Sequence, residues 1–259
     1  MTKRKMKQRI MITRPAHQAE KLAQAIDVAG GEPFLFPTLA IIPTKLTNED
    51  KDKIELVNHF DMIIFISPNA VEHGLNHILG ITQLSDKVRL ATIGQGSANA
   101  LNNYLGKQPD IVPAENFNSE GLLATATMQD VANKRILIVR GNQGRELLKN
   151  TLQQRGALVE YLEAYQRIKP AASTTDLEQY LQNNQIAAIV ITNAESLNNL
   201  VELTPEKVRP QLLQVPLLLI NNRLTDIAKE AGFSNKLLVA AEASDDAIIE
   251  TLKKNALLS

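Results

Sequence analysis

Short apolar runs alternate with stretches of helical periodicity along the whole chain. Ile10 to Thr13 is an apolar run of strand length, and Arg14-Pro15 ends it with a residue suited to a turn into a helix. From about Gln18 to Val28, Leu22, Ala25 and Ile26 fall on one helical face, and Gly30-Gly31 stops the helix. Phe34 to Phe36 is the next predicted strand. The pattern then returns: Arg135 to Gly141, a polar turn, a helix from Glu146 to Gly156, and an apolar run from Val159. Arg9/Arg135, Ile12/Ile138, Arg14/Arg140, Glu20/Glu146, Leu22/Leu148 and Gly30/Gly156 share one offset, 126 residues. A period near half the chain points to a duplicated domain-sized unit rather than a solenoid.

The intervening chain repeats the alternation. Predicted strands at Asp61–Ile66, Val88–Ile93 and Asp110–Val112 are followed by helix starts at Ser67-Pro68-Asn69-Ala70, Gly94-Gln95-Gly96-Ser97 and Asn118-Ser119-Glu120-Gly121. After residue 170, predicted strands at Ala187–Ile191, Val215–Ile220 and Leu237–Ala240 lead into Thr192-Asn193-Ala194, Asn221-Asn222-Arg223 and Ser244-Asp245-Asp246. Strands alternating with helices predict an α/β fold with parallel sheets covered on both faces. Ligands of such sheets bind beyond the C-terminal strand ends, here Arg14, Ser67, Gly94, Arg140, Thr192 and Asn221. Pro37–Pro43 and Ala164–Pro170 are extended segments at repeat-equivalent positions, which reads as a pair of crossings between two domains.

A chain of 259 residues, 44% hydrophobic and 22% charged, suits a soluble globular protein of two domains. No apolar run approaches the roughly 20 residues a membrane span needs. Basic residues Lys3, Arg4, Lys5, Lys7 and Arg9 read as a solvated arm with no export signal behind it. The absence of cysteine excludes disulfides and thiolate chemistry, and fits a cytoplasmic address. The net charge is zero, so nothing draws a nucleic acid globally; an anionic ligand must be held by local charges and backbone dipoles.

Candidate chemistry is therefore local. Gly94-Gln-Gly96-Ser-Ala-Asn99 lacks the third glycine of a dinucleotide fingerprint. Gly94 would still let a backbone approach a ligand, with Ser97 as a cap or anion contact. His73 and His77 share a helix face without a third ligand nearby, so no metal is expected. Arg140-Gly141-Asn142-Gln143-Gly144-Arg145 sets two guanidinium forks around a glycine turn at a helix start, a candidate carboxylate or phosphate site. The same turn also suits a solvated one whose arginines pair locally. Ser67-Pro-Asn69 and Thr192-Asn193 read as equivalent helix caps, 125 residues apart, whose N–H groups could also meet anionic arms. Tyr165 lies in the second crossing, where a phenol can donate a proton or a hydrogen bond or simply pack.

Taken in order, Ile12-Thr13-Arg14-Pro15, Phe65-Ile-Ser67-Pro-Asn-Ala-Val71, Ala91-Thr-Ile-Gly94-Gln-Gly-Ser97-Ala, Ile138-Val-Arg140-Gly141-x-x-Gly144-Arg145-Glu146-Leu147 and Ala164-Tyr165-Gln166-Arg167 resemble the uroporphyrinogen-III synthase family over nearly the whole chain. The resemblance implies two parallel-sheet, flavodoxin-like α/β domains, one inserted in the other. Residues 1–37 and 171–259 would form one domain, 44–164 the other, and 38–43 with 165–170 a two-stranded linker. It implies cyclisation of hydroxymethylbilane to uroporphyrinogen III, with inversion of the last pyrrole ring and loss of water, by a cytoplasmic monomer without cofactor or metal. Tyr165 would assist departure of the hydroxyl. Arg14, Ser67, Asn69, Gly94, Ser97, Arg140, Gly141, Gly144, Arg145, Thr192 and Asn193 would bind the substrate's carboxylate arms. The turn Asn221–Thr225 departs from the family pattern, and no role is carried onto it. The rival from another class is a non-catalytic two-domain binder of small anions.

Overall fold

The computed structural model describes residues 7–258. The basic arm Lys3-Arg4-Lys5 lies outside them. In chain order the strands are β1 (Arg9–Ile12), β2 (Glu32–Leu35), β3 (Ala40–Pro43), β4 (Met62–Phe65), β5 (Arg89–Thr92), β6 (Arg135–Gly141), β7 (Leu158–Ile168), β8 (Ile186–Ile191), β9 (Leu217–Leu219) and β10 (Leu237–Val239). They form two five-stranded sheets, β10-β9-β8-β1-β2 and β3-β7-β6-β4-β5. The chain divides into two compact units, one taking residues up to Ala40 and from Ile168 on, the other Ile41–Arg167.

Within each unit the inner strands are apolar on both faces, as parallel strands covered by helices must be. In the first unit Met11, Ile189, Ile191, Leu217 and Leu219 feed one core. Their neighbours Ile10, Ile12, Ala188, Val190 and Leu218 feed the core on the opposite face. In the second unit Ile63, Phe65, Leu137 and Val139 pack on one side. Met62, Ile64, Ile136 and Ile138 pack on the other. This period of two is what fixes the register of β4 between β5 and β6.

The duplication governs the topology. Order β2-β1-β8-β9-β10 in one sheet matches β7-β6-β4-β5 in the other, where Ile111 adds a parallel bridge to Ala91 at the place of β10. The predicted strand Asp110–Val112 is thus reduced to that bridge. Each unit takes strands from both halves of the repeat. Helix caps follow the same offset: Ser67 and Asn193 cap one helix pair, Asn118 and Ser244 another, each accepting from the backbone N–H three residues on. Ser67 is therefore the counterpart of Asn193, 126 residues on, and not of Thr192 as the 125-residue spacing suggested. Thr192 lies between the end of β8 and that cap.

Strand limits also shift. The edge strand β2 begins at Glu32 and includes Pro33, which needs no ladder donor on its open side. Of the two extended segments, residues 164–168 continue β7 and Ala40–Pro43 is β3 beside it, where the Thr44 N–H donates to the Ala164 carbonyl at 3.1 Å.

Candidate active site

The expected residues fall into two groups. Ser67, Asn69, Gly94, Ser97, Arg140, Gly141, Gly144, Arg145 and Tyr165 belong to the second unit; Arg14, Thr192 and Asn193 belong to the first. In the second unit the C-terminal strand ends bring Ser67, Gly141 and Tyr165 together. The Ser67 Oγ and Tyr165 hydroxyl lie 3.0 Å apart. Ser67 Oγ also accepts from the Ala70 N–H at 3.0 Å, capping helix Pro68–Leu79. A β-carbon on Gly141 would sit 2.7 Å from Tyr165 Cε2, so only glycine admits the ring in its observed place. The ring is 5% exposed and lies 5.8 Å from the His73 ring, tilted by 37°. His77 Nε2 meets the Ala164 carbonyl at 3.0 Å; a carbonyl only accepts, so this nitrogen carries the hydrogen.

A bulge decides which face Tyr165 occupies. The β6–β7 register runs Arg140 to Glu163 and then Gly141 to Tyr165, leaving Ala164 extra on β7. Without it, Tyr161 and Tyr165 would share a face. With it, Tyr165 packs beside Leu162 and Ala164, against the helix Pro68–Leu79. Tyr161 packs on the opposite core.

That opposite face carries a second polar cluster. Arg140 is 4% exposed and donates to Glu146 Oε1 at 2.7 Å, and its guanidinium stacks 4.5 Å above the Tyr161 ring. Tyr161 donates to Glu146 Oε2 at 2.8 Å. Burial, then the hydrogen bond to Glu146, pushes the Tyr161 phenol up to about 12. The Arg140 and Tyr161 hydrogen bonds hold the Glu146 carboxyl below its ordinary range. Gly144, at φ +150°, lets the turn pass against the Arg140 guanidinium. Arg145 pairs with Glu120. Both arginines of the turn thus pair locally, the duller of the two possibilities open from sequence, and the cluster adds Glu146 and Tyr161, which sequence reasoning missed. An Arg-to-Glu spacing of six across a turn matches no regular period, and the bulge hides Tyr161.

The remaining positions are quieter. Gly94 precedes helix Gln95–Leu105 in extended conformation, with Phe117 against it. Ser97 is buried in that helix's first turn, and Asn69 lies at the start of Pro68–Leu79. In the first unit Arg14 pairs with Asp245 at 2.5 Å, and Asn193 caps helix Ala194–Leu203. Asn222 precedes helix Arg223–Glu230 without a side-chain cap. Among the described residues no cluster of acidic, histidine or cysteine side chains could hold a metal ion, and no helix is long and apolar enough to cross a membrane.

A family model described as Uroporphyrinogen-III synthase HemD matches residues 20–250. The chain is 30% identical over 246 residues to the uroporphyrinogen-III synthase of Escherichia coli, covering 94% of this chain and 99% of that protein. It is 31% identical over 247 residues to the synthase of Salmonella typhimurium, with the same coverage of both chains. Among solved structures, a mutant uroporphyrinogen III synthase from Thermus thermophilus superimposes with a TM-score of 0.62 at 21% identity, over 95% of this chain and 99% of that one. The uroporphyrinogen-III synthetase of Helicobacter pylori gives 0.60 at 13% identity, over 96% and 99%. At these identities the structures speak for the fold, and the sequence matches for the family: this chain belongs to the uroporphyrinogen-III synthases.

Proposed function

We propose that Tyr165, held by Ser67, serves as the proton donor when this cyclising lyase closes hydroxymethylbilane to uroporphyrinogen III. The hydroxymethyl carbon–oxygen bond breaks with the phenol proton moving to the oxygen, so that water leaves, and the adjoining pyrrole nitrogen feeds electrons to the carbon left behind. The substituted α-carbon of the last ring attacks that carbon to give a spiro intermediate. Its bond to the third ring's methylene then breaks, and the methylene rejoins at the free α-position. The proton lost from that position restores the phenol. Left alone, the flexible substrate closes without inversion, so the protein's first task is to fold it. Positioning supplies roughly 7–11 kcal/mol in favourable cases, against the roughly 10²–10⁴-fold of a single proton donor.

One observation carries the assignment. The repeat holds an internal control: the counterparts of Ser67 and Tyr165 at the 126-residue offset are Asn193 and Leu39. Asn193 makes the same cap, and the first unit builds the same strand order with an apolar side chain at position 39. The first unit thus keeps the cap and the strand order without a hydroxyl pair, which supports a role for the second unit's pair in the chemistry. The substrate's carboxylate arms are assigned to Ser67, Asn69, Gly94, Ser97, the Arg140–Arg145 turn, Thr192 and Asn193, with the protein a cytoplasmic monomer.

The test is to mix purified protein with freshly made hydroxymethylbilane, oxidise the products and separate the porphyrin isomers. Wild type yields mainly isomer III. Tyr165→Phe, still folded, lowers the isomer III rate by roughly 10²-fold, the lower end for a lost proton donor. Isomer I alone at the spontaneous rate from folded wild type would leave a small-anion-binding protein as the better description. Full activity in Tyr165→Phe would remove this phenol from the chemistry.

A further inference from the structure

The twin arginines of the repeat choose different acids. Arg14 pairs with Asp245, in the first turn of helix Asp245–Lys254, although Glu20 holds the position that Glu146 has in the second unit. Arg140 pairs instead with Glu146. A difference in sequence accompanies this. The counterpart of Asp245 at the same offset is Ser119, and the helices that begin there are matched by their caps, Asn118 and Ser244. Where the first unit has a built-in carboxylate for its arginine, the second has a neutral side chain. Ser119 and Arg140 line one cleft of about 110 Å³, with Arg145, Tyr161, Ile66 and Ile93 among its walls.

We infer that this cleft is a carboxylate subsite in which an arm of the substrate takes the seat of Asp245 and displaces Glu146 from Arg140. The inference deepens the synthase reading and rests on it for the identity of the arm. Arg140 is only 5% exposed along its side chain, whereas Glu146 is 53% exposed, so the acid can swing into water while the guanidinium stays in place. When it does, Arg140 and the Tyr161 hydroxyl lose an acceptor together, and one incoming carboxylate can replace it at both. Arg145 lines the same cleft and is paired with the exposed Glu120. Glu146 thus acts as a stand-in anion that keeps a buried cation paired until substrate arrives.

Two measurements test this, one of them independent of turnover. Sodium propionate titrated into protein with labelled arginine side chains should shift the Arg140 guanidinium resonance, while sodium chloride at equal ionic strength should not. Ser119→Asp, which installs the first unit's arrangement, should abolish the shift. Glu146→Gln should lower the propionate concentration at the midpoint by severalfold. In the isomer assay, Ser119→Asp should raise KM at least tenfold with a much smaller change in kcat. No propionate shift in wild type, an equal shift with chloride, or a KM for folded Ser119→Asp within twofold of wild type overturns the subsite. Failure of wild type to make isomer III would instead strike at the synthase reading, leaving the propionate result standing.

Discussion

Gly141→Ala is a sharp perturbation because it touches the proposed proton donor without altering its chemistry. The new β-carbon would lie 2.7, 2.8 and 3.2 Å from three atoms of the Tyr165 ring. Ordinary carbon contacts begin at about 3.5–4.0 Å, so the ring must retreat by roughly 1 Å. The hydroxyl then leaves its 3.0 Å partnership with Ser67, since little bonding survives beyond about 3.5 Å. Overpacking of this kind costs about 1–3 kcal/mol of stability. A misplacement of about 1 Å at a reacting group costs on the order of 10²-fold in rate. The assay is a cycle of Gly141→Ala, Tyr165→Phe and the double variant, each scored for isomer III rate and for denaturant midpoint. If the glycine acts by placing the hydroxyl, its rate penalty vanishes once the hydroxyl is gone, while its stability penalty persists. A Gly141→Ala enzyme that is strained but runs at the wild-type rate would refute the reasoning, and so would rate penalties that simply multiply.

Other consequences are direct. Ser67→Ala removes a helix cap and should destabilise the protein by about 0.5–2 kcal/mol in chemical denaturation, with Ser67→Asn, the first unit's own choice, recovering the stability but not the rate. Tyr161 should ionise only near pH 12 in absorbance at 295 nm. Because its folded value is raised, its contribution to stability is complete below the ordinary phenol value near 10 and is lost as pH climbs toward 12; Tyr161→Phe should flatten that decline. Glu146 has the opposite sign: its contribution is present above the ordinary value of 4.5 and fades as pH falls through the lower folded value, so Glu146→Gln should lessen the acid loss of stability. Gly74→Ala puts a β-carbon 2.5 Å from Val139 Cγ1 and should lower the unfolding midpoint; an unchanged midpoint would mean the helix Pro68–Leu79 slides freely over β6.

Much of the fold was legible because apolar runs and caps are local signals. The runs around Ile10, Ile63 and Ile189 announce strands buried on both faces, and the 126-residue offset announces that what holds in one unit holds in the other. Two features escaped for identifiable reasons. The extra residue at Ala164 leaves no mark in the pattern of apolar positions, yet it turns Tyr161 and Tyr165 to opposite faces. Pairing between Arg140 and Glu146 spans six residues across a turn, a spacing that no regular period announces. The cap at Asn193 was misjudged by one position, because Thr192 and Asn193 are both capping residue types and only geometry separates them.

The exchange of strands between the two halves also dictates an order of assembly during synthesis. The unit Ile41–Arg167 is one continuous stretch and can close as soon as β7 has left the ribosome. The other unit cannot: β1 is an interior strand whose neighbour β8 starts at Ile186, and β9 and β10 beyond it follow later still. At about 5–20 residues per second, the stretch from the end of β1 at Ile12 to the end of β8 at Ile191 takes roughly ten to thirty-five seconds to make. For that interval the strand Arg9–Ile12, and the apolar face of the helix behind it, wait with one flank bare. Strand β1 is thus made well before it can be sealed, and a nascent chain arrested before Ile186 should be captured by hydrophobic-binding chaperones through the stretch from Arg9 to Val28 rather than through the unit Ile41–Arg167.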